Sequence, residues 1–417
     1  MFDVLKNSWA LMLGMLLLMV GNGLQGTLLG VRGPAEGFSS LEMSVVMSAY
    51  FAGFLFASRM TPDMIRRVGH VRVFAALGSL VSAVLLLFPA LKDPIAWSLG
   101  RAVIGFCFCG VYVTAESWLN NSATNETRGK ALSLYMIMQM SGIIIAQGLL
   151  VVPDSSGFLL FVIPSILVSI AFAPILLSVS PTPAFDTTKP MNLRELYRVS
   201  PLGCVGLFLL GGVFSAQFGM AAVYATEVGL SLGQISIFVA AFYVGALVMQ
   251  YPLGWMSDRM DRRWLIMMAA VLGGAAAVVS LLFGAYFPVL TAAAFLIGGT
   301  SNPLYSLLIA YTNDFLEVDD MASASAGLLF INGMGAISGP LLIGWLMQTF
   351  GPPGFFGLIA ASLLTMALYA AYRMTQRSAP SIEDTGAYAP ILPSSTPVVM
   401  EVAQEYAIET AEEEEAA

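Results

Sequence analysis

The sequence predicts an all-α membrane protein of twelve transmembrane helices, arranged as two six-helix, pseudo-symmetric halves. Hydrophobic residues make up 58% of its 417 and charged residues only 11%, whereas a soluble domain carries roughly 25% charge. Mean hydropathy is +0.81, so water cannot be the main solvent. The apolar runs 9–31, 73–90 and 158–179 are long enough to cross a ~30 Å hydrocarbon core at ~1.5 Å per residue. The longest interior polar stretch falls near the middle of the chain, at 180–200, which gives the division into halves.

Lipid offers no hydrogen-bond partners, so a spanning segment is a helix or a strand of a closed barrel. These runs lack the polar–apolar alternation of barrel strands and read as helices. Breaks at charged or Gly/Pro-rich stretches give twelve spans near 9–31, 42–64, 73–91, 95–118, 131–152, 158–179, 201–224, 232–256, 264–287, 288–312, 324–348 and 354–373. The first follows Lys6 and resembles a signal peptide, but it runs past a 7–15-residue apolar region without a small-x-small cleavage site. It is retained as a helix.

Residues 1–180 form the N-terminal half and 201–375 the C-terminal half. Between them, 181–200 is a cytoplasmic linker carrying Pro181, Pro183, Asp186, Lys189, Pro190, Arg194 and Arg198, as in transporters built from repeats. Spans two and eight are each followed by a short basic loop, 66–72 and 258–263, which points to duplication. The remainder, 376–417, is an acidic tail with nine carboxylates and no Lys or Arg after Arg377. Without those acids the formal charge of −8 becomes +1. Its composition, rich in Pro, Ser, Thr and Glu without periodicity, predicts a disordered segment.

Basic loops stay in the cytoplasm. With both termini inside, fifteen of the eighteen Lys and Arg fall on that face, and only Arg32, Lys92 and Arg101 do not. The expected location is a bacterial inner membrane, with lipid as the main partner and no nucleic acid.

Several chemistries are poorly provided for. Cys107, Cys109 and Cys204 all lie in apolar spans, where a thiol packs like a small hydrophobe, and the 107/109 pair points to different sides of a helix. His70 is the only histidine. No disulfide, metal site, catalytic residue or cofactor is expected, and the absence of a Gly-x-x-x-x-Gly-Lys-Ser/Thr loop removes ATP as the direct energy source.

After span eight the chain reads Gly254-Trp255-Met256-Ser257-Asp258-Arg259-Met260-Asp261-Arg262-Arg263. This resembles the G-x-x-x-D-R-x-G-R-R loop signature of the major facilitator superfamily, departing only at Asp261, where glycine is usual. After span two, Arg66-Arg67-Val68-Gly69-His70 is similar to a degraded copy, with Arg66 in place of the acid. In span four, Arg101-Ala102-Val103-Ile104-Gly105 looks like the family's R-x-x-x-G pattern and leads into Glu116-Ser117-Trp118-Leu119-Asn120 and Arg128-Gly129. Together with Asn302-Pro303-Leu304-Tyr305 in span ten and Gly339-Pro340 in span eleven, residues 1–377 look closest to the bacterial YcaD-like branch. The resemblance implies a monomer that works by alternating access, its halves rocking about a central site lined mainly by spans one, four, seven and ten. It also implies that Asp258, Arg259, Arg262 and Arg263 form a cytoplasmic gating latch that locks the outward-facing state. The plainer role for these residues is topological, holding the loop inside.

Arg101 lies about eight residues, ~12 Å of helix, inside the outer end of span four, where a charge facing lipid costs ~2.5 kcal/mol or more. Arg101, Gly105, Phe108, Tyr112 and Glu116 share one helical face. Glu116 is roughly 22 Å along the helix, too far to neutralise the guanidinium. Arg101 either fixes the bundle by hydrogen-bonding a neighbouring helix or acts as a binding-site cation. In the second case no acid at mid-depth in spans one, seven or ten cancels it, and an anionic solute is favoured.

Asn22 and Gln25 in span one, Tyr112 in span four, Gln217 in span seven, and Asn302 and Tyr305 in span ten complete the substrate-binding candidates. Each could instead tie helix to helix. Glu116 is the candidate proton-coupling carboxylate, the alternative being an ion pair with Arg128 or Lys130. The function expected is secondary transport of a small organic solute, an anion being the class Arg101 favours, with a proton as candidate partner. Drug antiporters of the superfamily usually carry Gly-Pro in span five; Gln139-Met140-Ser141-Gly142-Ile143 stands there instead, which tilts the expectation to uptake. Proton-driven efflux is the second reading, and a non-transporting membrane sensor or scaffold is the alternative of another class.

Overall fold

The protein is described here by a computed structural model covering residues 2–122, 127–151, 158–177, 191–377, 388–400 and 403. The N-terminal half contains α1 (Phe2–Ala35), α2 (Ser40–Val68), α3 (His70–Leu87), α4 (Pro94–Ser122), α5 (Arg128–Leu149) and α6 (Leu159–Leu177). The C-terminal half contains α8 (Pro201–Ser215), α9 (Ala221–Glu227), α10 (Leu232–Ser257), α11 (Arg262–Phe283), α12 (Phe287–Asn313), α13 (Val318–Phe350) and α14 (Gly354–Met374). A π-turn, Ala216–Met220, joins α8 to α9, so the two run on as one span, Pro201–Glu227. Eleven helices among the described residues are long and apolar enough to cross a membrane. The shorter apolar helix Leu159–Pro174 in α6 completes the twelve-helix layout.

The halves repeat each other in their packing. In the first, α2 lies against α4, and α1 against α5 and α6; in the second, α10 lies against α12, and α8 against α13 and α14. The same local chemistry recurs. Helices α2 and α10 both start at a capping box, Ser39 with Glu42 and Ser231 with Gln234, which satisfies backbone donors at the helix start.

Close approach is also built twice. A Cβ at Gly53 would stand 1.9 Å from the Ala102 carbonyl oxygen, and one at Gly105 1.9 Å from that of Tyr50. At the matching places, Gly245 would meet the Phe295 oxygen at 2.0 Å and Gly298 the Phe242 oxygen at 1.9 Å. Only glycine lets these helix backbones touch, the usual small-residue route to tight packing in lipid.

The two halves meet where α1, α5 and α9 end and α2 and α10 begin, and α2 stays against α13 past mid-length, with Leu55 at Gly333 and Arg59 over the Phe330 ring at 4.5 Å. Ser40 Oγ donates to Glu227 Oε1 at 2.5 Å, Ser48 Oγ to the Ile337 carbonyl at 2.6 Å, and Ser236 Oγ to the Gln147 carbonyl at 2.5 Å. On the same face, Arg32 and Lys92 converge on Glu36 at 2.7 and 3.0 Å. Hydrogen bonding from Lys92, with the charge of Arg32, holds this carboxyl below its ordinary range.

Two elements depart from the sequence expectation. Within the expected linker, α7 (Leu193–Val199) is a short helix capped by Asn192. Over 388–400, in the tail whose composition predicts disorder, Ile391, Leu392, Thr396, Val399 and Met400 are buried between α4 of one half and α10 and α12 of the other, away from the Ser40–Glu227 contact. The remainder of 378–417, apart from 403, lies outside the described residues, as do 178–190 of the linker region.

Candidate functional site

Four of the sequence-predicted residues form one chain of hydrogen bonds. Arg101 Nη1 donates to Gln25 Oε1 at 2.7 Å, and Gln25 Nε2 donates to Asn22 Oδ1 at 2.9 Å. Asn22 Nδ2 in turn reaches the Tyr112 hydroxyl at 2.8 Å and the Tyr50 hydroxyl at 3.1 Å. The i, i+3 spacing of Asn22 and Gln25 puts both amides on the side of α1 that meets α4, while the Arg101-to-Tyr112 face of α4 supplies the other members. All are buried, and Arg101 has no exposed surface.

The Arg101 guanidinium also lies 4.6 Å from the centre of the Tyr50 ring and 3.6 Å from Met47 Sδ. Its Nε has no acceptor. Among the described residues no carboxylate pairs with it, whereas Arg32 and Lys92, the other two cations assigned to that side of the sequence, share Glu36. A buried guanidinium held by one amide, one thioether and one ring is electrostatically uncompensated.

The C-terminal candidates are split. In the π-turn, Gln217 Nε2 donates to Ser301 Oγ at 2.7 Å, and its Oε1 accepts from Asn302 Nδ2 at 3.3 Å. Tyr305 stands apart from this pair; its buried hydroxyl and Asn302 Oδ1 both lack partners.

Between the halves lies a cavity with about 490 Å³ of empty space. Its walls are aromatic and aliphatic: Tyr50, Phe51 and Phe54 from α2, Phe214 and Phe218 from the seventh span, and Tyr243 from α10. Gln139 from α5 supplies polarity, and neither of its buried amide atoms has a hydrogen-bond partner of proper geometry. None of the seven binding residues picked from the sequence lines this cavity. They flank it, and Tyr50 is the link, with one face of its ring toward Arg101, its hydroxyl on Asn22, and part of its surface in the cavity wall. Sequence reasoning missed Tyr50 and Gln139. The available signal was the Tyr50-Phe51 and Phe54 cluster of rings in span two and a lone amide in span five.

Glu116 is buried near the end of α4, the only carboxylate so deeply buried among the described residues. Its Oε1 accepts from the Tyr135 hydroxyl at 2.9 Å, and its Oε2 accepts from the Thr396 hydroxyl and, at 3.3 Å, from the Thr396 N–H. These hydrogen bonds replace the ion pair to Arg128 or Lys130 that sequence proximity suggests.

In the loop after α10 the charges pair within their own half. Arg262 is buried and reaches Asp314 at 2.5 Å and Asp258 at 3.8 Å; Arg263 pairs with Asp261 at 2.8 Å. Arg259 stacks over Trp255 at 4.5 Å. Burial alone would raise the Asp261 carboxyl, but hydrogen bonds from the side chain and backbone of Arg263 prevail and hold it below its ordinary range. Asp258 also accepts the Tyr388 N–H at 3.0 Å, which brings the loop to the tail.

A sequence profile for the Major Facilitator Superfamily matches residues 11–222 and again 202–400. The chain is 26% identical over 356 residues to an uncharacterized MFS-type transporter, YcaD, of Escherichia coli O6:K15:H31 (strain 536 / UPEC), covering 84% of this chain and 91% of the relative. It is 26% identical over 366 residues to the uncharacterized MFS-type transporter YfkF of Bacillus subtilis (strain 168), covering 85% and 92%. In three dimensions it resembles the nucleoside transporter NupG, with a TM-score of 0.75 at 13% identity, over 88% of this chain and 99% of that one.

Proposed function

The chain belongs to the major facilitator superfamily, and from that premise we propose that it takes up a small organic anion with an apolar body by alternating access, coupled to a proton. It is a multi-pass membrane transporter and not an enzyme. The bacterial inner membrane is its proposed location, with both termini in the cytoplasm. On that orientation the contacts between Ser40 and Glu227 and between Ser48 and Ile337 close the outer face, and the cavity belongs to an inward-facing state.

The observation that carries the substrate reading is Arg101, buried and with no carboxylate partner among the described residues, next to a cavity whose aromatic wall it touches through Tyr50. A solute carboxylate would supply the missing charge through charge-assisted hydrogen bonds. The rings of Phe51, Phe54, Phe214, Phe218 and Tyr243 would pack against the apolar part, and Gln139 offers both a donor and an acceptor. Glu116 is the proposed proton site. The apolar walls also suit efflux of apolar compounds, which is the second reading.

A thermal-shift screen of organic anions against neutral analogues identifies the solute class, because a bound ligand stabilises the folded state. Counterflow of the hits in proteoliposomes separates transport from binding alone. Arg101→Ala is expected to weaken anion binding by tenfold or more, about 1.4 kcal/mol, and Arg101→Lys to keep part of it. Undiminished anion affinity in Arg101→Ala rules out the contact.

A further inference from the structure

We infer that residues 388–400 are an intramolecular plug, which holds α4 of one half apart from α10 and α12 of the other at the end away from the Ser40–Glu227 contact and must leave before that end can close. This goes beyond the transport reading and depends only on the fold.

The segment bridges both halves. On the N-terminal side, Thr396 donates from its hydroxyl and its N–H to Glu116 of α4. On the C-terminal side, Ser306 of α12 donates to the Ile391 carbonyl at 2.8 Å and accepts the Ile391 N–H at 2.9 Å. Gln250 of α10 donates to the Tyr388 hydroxyl at 2.7 Å, and Asp258 accepts the Tyr388 N–H. Leu392, Pro393 and Ser394 form one wall of the central cavity. This segment therefore occupies the route between the cavity and that face.

The sequence is suited to the place. Residues 388–400 carry no charge, although Glu383, Asp384 and Glu401 flank them in an otherwise acidic tail, so docking buries no unpaired charge from the segment. Pro390, Pro393 and Pro397 fix three φ angles in advance, which lowers the entropy lost on docking. The Tyr388 ring sits where Gly254 has no side chain; a Cβ there would stand 2.8 Å from two ring carbons. Gly254 and Asp258, two positions of the loop signature after α10, thus both receive Tyr388.

Rocking brings the halves together where the tail now lies. Two bodies held apart by a buried peptide cannot approach, so the docked tail holds the state described here, and its release permits the opposite one.

Thiol labelling tests this in the full-length chain, with Cys107, Cys109 and Cys204 replaced by alanine. Ser395→Cys lies in the plug, where Ser395 is 2% exposed, and Gln376→Cys is an exposed control just before it. The plug predicts that a maleimide modifies Ser395→Cys about tenfold or more slowly than Gln376→Cys, as protection by a closed local structure requires. A second measurement uses Met140→Cys in the cavity wall, which is expected to label about tenfold faster once residues 378–417 are removed. Equal rates at Ser395→Cys and Gln376→Cys overturn the proposal, as does an unchanged Met140→Cys rate in a truncated chain that still elutes as a single folded species.

Discussion

Arg101 and Glu116 lie on the same helix and are the only two charged residues in α4, yet they are held in different ways. Arg101 is gripped by neutral partners, Gln25, Met47 and the Tyr50 ring, so none of them offsets its charge. Glu116 is held by hydroxyls and a backbone N–H from Tyr135 and Thr396, donors that serve a carboxylate without neutralising it. If Glu116 carries the proton, Glu116→Gln loses uptake driven by a pH gradient while retaining counterflow, which needs no net proton movement. Intact pH-driven uptake in that variant removes the assignment. Replacing Tyr50 probes the link between charge and cavity: Tyr50→Phe keeps the ring beneath the guanidinium and is expected to retain most anion binding, whereas Tyr50→Ala loses it by about tenfold. Equal affinities in the two variants would show that the ring plays no part. Sequence spacing was enough to put Asn22 beside Gln25 and Arg101 on the face of Tyr112, because each pair shares a helical face, whereas the meeting of spans one and four was implied only by the family resemblance. Spacing could not find Tyr50 or Gln139, whose importance comes from which helices face each other across the interface between halves.

Among the elements, the paired glycine contacts set how tightly helices can pack. Gly53 and Gly105 bring α2 and α4 together, and Gly245 and Gly298 do the same for α10 and α12. In each case the obstructing atom would be a backbone oxygen, which cannot swing aside. Gly53→Ala is therefore expected to destabilise the protein by about 1–3 kcal/mol. Gly148→Ala, where nothing lies within 4 Å of the new Cβ, is expected to be neutral in the same thermal melt, and equal melting points for the two would contradict this packing. The helices themselves were legible from hydropathy and length. The π-turn at Ala216–Met220 was not, because a single extra residue in a helical turn leaves the apolar pattern almost unchanged. The buried stretch of the tail is hidden in the sequence for a different reason. Composition averaged over 376–417 reports its acids, while docking depends on the uncharged residues 388–400 that lie among them.

At the scale of the whole molecule, two similar halves touch directly from one end to past mid-length, where Arg59 of α2 lies over the Phe330 ring of α13, and the tail lies between α4 and α12 toward the other end. Alternating access requires the touching end to part. Cysteines at Ser40 and Glu227, whose side chains are hydrogen-bonded across that contact, can be tied with a short reducible cross-linker in a background lacking the native thiols. The cross-link is expected to stop solute counterflow in proteoliposomes, and reductant to restore it. Exchange at the full rate with the link in place would contradict it.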